Sequence, residues 1–225
     1  MTREKGSVPL KLTPYNHYAG MDRDDPLRFY YWPIIGSLYR RRVELCLSQC
    51  RGGKRLLEIG FGSGVTFLNL REKYQEIHGL DLKAPAGQVR DAFTRMEIET
   101  HLLTGNVMSL PYANGSFDAV LMISILEHLE SAHQADIFSE VQRVLRPGGQ
   151  AIYGVPVERP FMSMMFRLLG YNIHEHHYSS EQQVFRAAST VLNHVELVRM
   201  RGPLGLFGTV YEVGHFMKQL GTGGP

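Results

Sequence analysis

At 225 residues, with 24 Lys and Arg against 22 Asp and Glu, the chain has the length of one α/β domain with additions and a net charge of only +2. That balance lacks the basic footprint that a nucleic-acid backbone demands, and 44% apolar residues with 10% aromatics exclude a disordered chain. Two cysteines cannot staple a disulfide framework, no run approaches the roughly 18 apolar residues of a spanning helix, and the opening MTREKGSVPLKLTPY has no secretory apolar core, so a cytoplasmic chain is expected.

Residues 1 to about 30 are polar, aromatic and aperiodic, an N-terminal arm. Ile35, Tyr39, Val43, Cys46 and Cys50 then recur three or four apart, which predicts a helix with both cysteines on its apolar stripe. Two sulfurs one turn apart complete no metal site, so they read as small core residues and no metal is expected. Lys54–Ile59 is a short strand ended by glycines, Val65–Tyr74 a helix, Glu76–Asp81 a second strand, and residues 101–104 a third. Phe117–Ser124 and Gln150–Val155 supply a fourth and a fifth, with a helical face at Ile137, Val141, Val144 and Leu145 between them. Alternation of apolar strands with helices predicts a doubly wound parallel sheet covered on both faces. Residues 158–178 break the rhythm as a Met-, Phe- and His-rich insertion. Ser180 and Gln183 form a predicted capping box, and Val195–Met200 with Thr209–Val213 suit an antiparallel hairpin. Residues 1–50 are thus an arm and helix, and 51–225 the main body of one domain.

Chemistry concentrates after the first strand. Gly60, Gly62 and Gly64 make a G-x-G-x-G turn leading into a helix, where a backbone can turn sharply and approach a ligand, with free N–H groups at the helix start. The dinucleotide fingerprint would need glycine at Val65, which weakens a nicotinamide oxidoreductase reading. Asp81 closes the second strand 21 residues after Gly60, which places a carboxylate across the crevice where it can accept from ribose hydroxyls. The competing role is a strand-end turn aspartate.

The blocks LLEIGFGSG, GLDL, TGNVMSLPYANGSFDAVLMISILEHL and VLRPGG, in this order, resemble the class I S-adenosylmethionine-dependent methyltransferases, in the branch of the ubiquinone/menaquinone-biosynthesis enzymes. The resemblance spans about 56–156. It implies a Rossmann-like seven-stranded sheet with an antiparallel last strand, and S-adenosyl-L-methionine as cofactor. It makes Glu58 the acidic residue of the first motif, Gly60, Gly62 and Gly64 the loop under the methionine moiety, and Asp81 the ribose ligand. Asn106 and Val107 fall at the adenine, with an amide where the family more often has a carboxylate, and Ile123 and Ser124 pass beneath the sulfonium.

The sulfonium methyl is already activated, so the protein must mainly align a nucleophile and exclude water. Proton acceptors are sought in His128 and in the His174–Tyr178 cluster that closes the insertion (His174, His176, His177 and Tyr178), with His177 and Tyr178 placed first there. The competing and more ordinary role of His128 is a helix-start histidine. Tyr18 in the arm is the residue expected to cover the cofactor, against ordinary packing as the alternative. Phe161, Met162, Met164, Met165, Phe166, Leu168 and Leu169 suit an adaptable apolar pocket, and beside basic residues a peripheral membrane contact. The expected activity is methyl transfer to the O, C or N of a small hydrophobic or lipid-like acceptor. A cofactor-binding regulatory subunit without turnover is the reading from another class.

Overall fold

The computed structural model describes residues 8–20, 25–33, 35–157, 178–202 and 208–220. Seven strands, β1 (Gly53–Ile59), β2 (Tyr74–Asp81), β3 (His101–Thr104), β4 (Phe117–Ile123), β5 (Leu145–Pro156), β6 (Asn193–Arg201) and β7 (Thr209–Met217), form one sheet in the order β3-β2-β1-β4-β5-β7-β6. β1 to β5 run parallel, and β7 is antiparallel to both β5 and β6. The doubly wound sheet expected from the strand–helix alternation is therefore the fold, with the antiparallel last strand that the family resemblance implies.

The helices are α1 (Leu27–Tyr30), α2 (Ile35–Gln49), α3 (Phe67–Leu70), α4 (Ala86–Thr94), α5 (Gln134–Val144) and α6 (Glu181–Val191). Side-chain alternation along each strand splits the core in two. Leu56, Leu121, Ile152 and Val213 pack with α2, α4 and the arm, while Leu57, Ile59, Val120, Met122 and Tyr153 pack with α5 and α6. Burying each such side chain contributes about 1.5–3 kcal/mol, so the strands are held chiefly by these two layers. Ile137, Phe138, Val141 and Val144 are fully buried along one face of α5. The capping box is present: Ser180 Oγ accepts from the Gln183 N–H at 3.4 Å, and Gln183 Oε1 accepts from the Ser180 N–H at 2.8 Å.

Several elements depart from expectation: β2 and β6 start two residues early, β7 runs on to Met217, and three further differences have identifiable causes. The helix expected over Val65–Tyr74 is a single turn, α3, because Tyr74 joins β2, pairing with Gly53 and donating its hydroxyl to the Gln150 side-chain oxygen at 3.1 Å. β5 begins at Leu145 rather than Gln150, since Leu145 still pairs with Phe117 across a register shift. α4, unanticipated, buries Val89, Ala92 and Phe93 from a sequence too polar to show a clear stripe. The insertion at 158–177, with His174, His176 and His177, lies outside the described residues. Among the described residues no helix is long and apolar enough to cross a membrane.

Candidate active site

Strand order reverses between β1 and β4, and the carboxyl ends of those two strands open a crevice at this switch point. Gly60 leaves β1 at φ +77°, followed by Gly62 at +51° and Gly64 at +74°, all in the left-handed region that side-chain-bearing residues avoid. Their surroundings differ. A Cβ on Gly60 would stand 2.9 Å from Ile125, and one on Gly64 would stand 2.7 Å from both Phe67 and Phe93. At Gly62 the nearest atom is Asp25 Oδ2, 3.4 Å away, so this position opens into space. Gly60 and Gly64 let the loop pack, and Gly62 bares its backbone to the crevice. Beside them Phe61, Phe67, Phe93 and Tyr18 form a run of ring contacts, tilted between Phe61 and Phe67 and edge-to-face for the rest, with centroids 4.9–6.1 Å apart.

Asp81 fastens the loop to β2. Its Oδ2 accepts from the Gly62 N–H at 3.0 Å, and its Oδ1 accepts from the N–H groups of Lys83 and Ala84 at 2.8 and 2.9 Å. An ionised carboxylate offers about four acceptor positions, so one remains toward the crevice without rearrangement. The strand-end turn and the ribose role weighed as alternatives are thus compatible in one side chain, with room for one hydroxyl outright and a second only in exchange for a backbone partner. The helix behind the loop, α3, is a single turn with no side-chain cap at its start.

Glu58 lies under the loop, 3% exposed, and accepts from the hydroxyl of buried Thr66. Burial pushes its carboxyl up to about 8, the Thr66 hydrogen bond opposes that shift, and nearby Asp81 adds to it. Glu58 is therefore largely protonated at neutral pH. Asn106 is exposed, and its Oδ1 accepts from the Met108 N–H at 2.9 Å, which spends one acceptor position on the turn after β3. Val107 is buried beside Leu80 and Leu110.

Ile123 ends β4, and Ser124 follows at φ +52°, a strained conformation for a residue with a side chain. Its N–H donates to Gly154 at 2.8 Å, and its hydroxyl lies 2.9 Å from the hydroxyl of Tyr211 at the start of β7. His128 is exposed on the short turn Leu126–His128. Tyr178 is 62% exposed and its N–H donates to the Glu127 carbonyl at 2.8 Å, which ties the far end of the insertion to the loop after β4. Buried Gln134 reinforces that tie by donating to the Leu126 carbonyl at 2.7 Å and to Ser179 Oγ at 3.1 Å. Tyr18 is 5% exposed against Phe93, in the aromatic layer rather than open over the loop.

Gly62, Asp81, Glu58 and Ser124 thus converge on the two sides of the crevice. Tyr211 and Asp25 join it without any signal in their spacing, because β7 and the arm arrive there only through tertiary packing. Among the described residues no three His, Cys, Asp or Glu side chains group as metal ligands. A cavity of about 440 Å³ lined by Gly53, Lys73 and Tyr74 lies at the opposite, amino end of β1 and β2, away from this chemistry.

Residues 57–153 match a family described as a methyltransferase domain. The "Probable S-adenosylmethionine-dependent methyltransferase" of Mycolicibacterium smegmatis is 32% identical over 148 residues, 65% of this chain and 52% of that protein. The demethylmenaquinone methyltransferase of Thermus thermophilus is 32% identical over 117 residues, 50% of this chain and 51% of that protein. The chain thus spans about half the length of these relatives. The crystal structure of the N-methyltransferase NodS from Bradyrhizobium japonicum, in complex with S-adenosyl-L-homocysteine, shares the fold with TM-score 0.65 at 20% identity, covering 87% of this chain and 93% of that one.

Proposed function

We propose that this chain, a class I S-adenosylmethionine-dependent methyltransferase by its fold and by the domain at residues 57–153, binds S-adenosylmethionine in the β1/β4 crevice and transfers its methyl to a small apolar acceptor. One observation carries the reading: Gly62, bare at positive φ, is tied by its N–H to Asp81 across the carboxyl ends of adjacent strands. The site fits a nucleoside linked to an amino acid. The remaining acceptor position of Asp81 suits a ribose hydroxyl, the space over Gly62 suits the methionine part, and Asn106 with Val107 offers an amide and an apolar wall for adenine.

When bound, the cofactor supplies a methyl on a sulfonium that departs as a neutral thioether. The chain must then hold the nucleophile in line and keep water out. Ile123 and strained Ser124 form the floor beside that point. His128 and Tyr178, exposed on neighbouring segments, and His177, next in sequence to Tyr178, are the groups available to take up a proton where the acceptor must lose one. An apolar acceptor is supported by the Met- and Phe-rich composition of residues 158–178 and by a relative named for demethylmenaquinone.

Calorimetry with S-adenosylhomocysteine and NAD, followed by transfer of a labelled methyl into a metabolite extract, tests the reading. Tight binding of the first ligand and labelled product are expected. Binding of NAD alone would overturn it, and cofactor binding without turnover on any extract would favour the regulatory-subunit alternative.

A further inference from the structure

The methyl-transfer reading says nothing of what the acceptor carries, and a charged side chain on α2 addresses that. α2 is linked to β1 by only Cys50–Gly52 and runs antiparallel to it, so its earlier turns reach the carboxyl half of the sheet. Cys46 marks the level: its sulfur lies 2.6 Å from where a Cβ on Gly154, near the end of β5, would stand. One turn further out is Arg42. Its guanidinium carbon is 4.0 Å from the ring centroid of Tyr39 and 5.4 Å from that of Tyr211. The hydroxyl at the other end of Tyr211 is the one that meets Ser124.

Arg42 therefore stands beside the floor of the crevice, framed by tyrosine rings. Among the described residues no carboxylate lies within ion-pair distance of it. The buried Glu127 carboxylate acts electrostatically on both Arg42 and Tyr211. An arginine cannot shed its charge, and five N–H donors in a partly buried setting call for an acceptor. The planar fork matches a carboxylate or another anionic oxygen, and flanking rings suit a flat acceptor.

Resting on the methyl-transfer reading, we propose that the acceptor presents an anionic oxygen, carboxylate or phenolate, to Arg42 beside the Ser124–Tyr211 pair. Arg42 acts here as a specificity-determining residue, not as a proton carrier.

The test uses the full chain saturated with S-adenosylhomocysteine and titrated with matched probes: 3-phenylpropanoate against its amide, and 4-nitrophenolate against its methyl ether. At least one anion binds tenfold or more tighter than its neutral partner, and the pair that shows it identifies the oxygen. Arg42→Met brings the members of that pair within threefold of each other, and Arg42→Lys retains part of the preference; S-adenosylhomocysteine affinity is unchanged in both. Equal binding within both wild-type pairs, or a preference that survives Arg42→Met, overturns the proposal. If Arg42→Met does not fold, the wild-type comparison and Arg42→Lys decide. A wild-type chain that fails to bind S-adenosylhomocysteine overturns the underlying function instead, and the probe pairs measured on the chain alone then judge the anion preference by itself.

Discussion

Replacing two glycines of one loop should separate packing from ligand contact. Gly62→Val forces a β-branched residue to φ +51°, at a cost of about 1–3 kcal/mol, but its side chain enters space whose nearest atom is 3.4 Å from the Cβ position. Gly64→Ala adds only a methyl, yet at φ +74° and 2.7 Å from the rings of Phe67 and Phe93. Backbone strain of about 1–2 kcal/mol then combines with overpacking of about 1–3 kcal/mol. At roughly 2–4 °C per kcal/mol for a chain of this size, Gly64→Ala should lower Tm by roughly 4–20 °C, although it introduces the smaller side chain. Affinity for S-adenosylhomocysteine should follow the opposite order: at least tenfold weaker in Gly62→Val, and within threefold of wild type in the folded fraction of Gly64→Ala. Thermal unfolding and calorimetry on the same samples provide both readouts. A folded Gly62→Val that binds like wild type would refute the assignment of this turn to the ligand.

Asp81→Ala should weaken S-adenosylhomocysteine at least tenfold and also destabilise the chain, because three backbone N–H groups lose their acceptor, whereas Asp81→Asn should keep the turn and lose mainly affinity; unchanged affinity in folded Asp81→Ala would remove the crevice argument. For Glu58 the folded chain holds its proton to about pH 8 while the unfolded chain releases it near 4.5, so stability should fall as pH rises through that window. Urea unfolding at pH 5.5 and 8 should show a smaller decline in Glu58→Gln than in wild type, and equal declines would contradict a protonated Glu58. Ser180→Ala should cost about 1 kcal/mol through loss of the reciprocal cap, read from the urea midpoint, with cofactor affinity untouched.

The sheet was legible wherever burial writes a period. β1, β3 and β4 fall within a residue of their expected bounds because apolar alternation and bounding glycines are local features. α3 misled because Phe67, Leu68 and Leu70 satisfy a helical face while Tyr74 is claimed by its neighbours Gly53 and Gln150, contacts with partners distant in sequence. α4 stayed hidden because only Val89, Ala92 and Phe93 are buried in it, too few for a stripe in a charged segment. The same contrast divides the site. Gly60–Gly64 and Asp81 stand out because a left-handed loop and a strand-end carboxylate are demands of the backbone itself. Tyr211 and Arg42 do not, since a tyrosine early in the last strand and an arginine inside an Arg-Arg-Arg run look like packing and solvation until β7 and α2 meet.

That division follows from the chemistry. Under the proposed function an activated methyl asks little of the protein beyond alignment, so no strong base or metal has to be encoded, and the residues that do carry a pattern are those proposed to hold the cofactor. On the same proposal the acceptor side is assembled from unrelated elements: α2 for charge, β7 for the tyrosine, the loop after β4 for the strained serine, and Tyr178 beside that loop. Two of those are already tied together, because the Tyr178 N–H and the Gln134 amide both fasten onto the loop after β4. A change at Tyr178 would therefore reach the loop after β4 through Glu127, on the opposite side of the switch point from Asp81 and the glycines. Under the proposed function, acceptor choice can then shift there without disturbing the cofactor side.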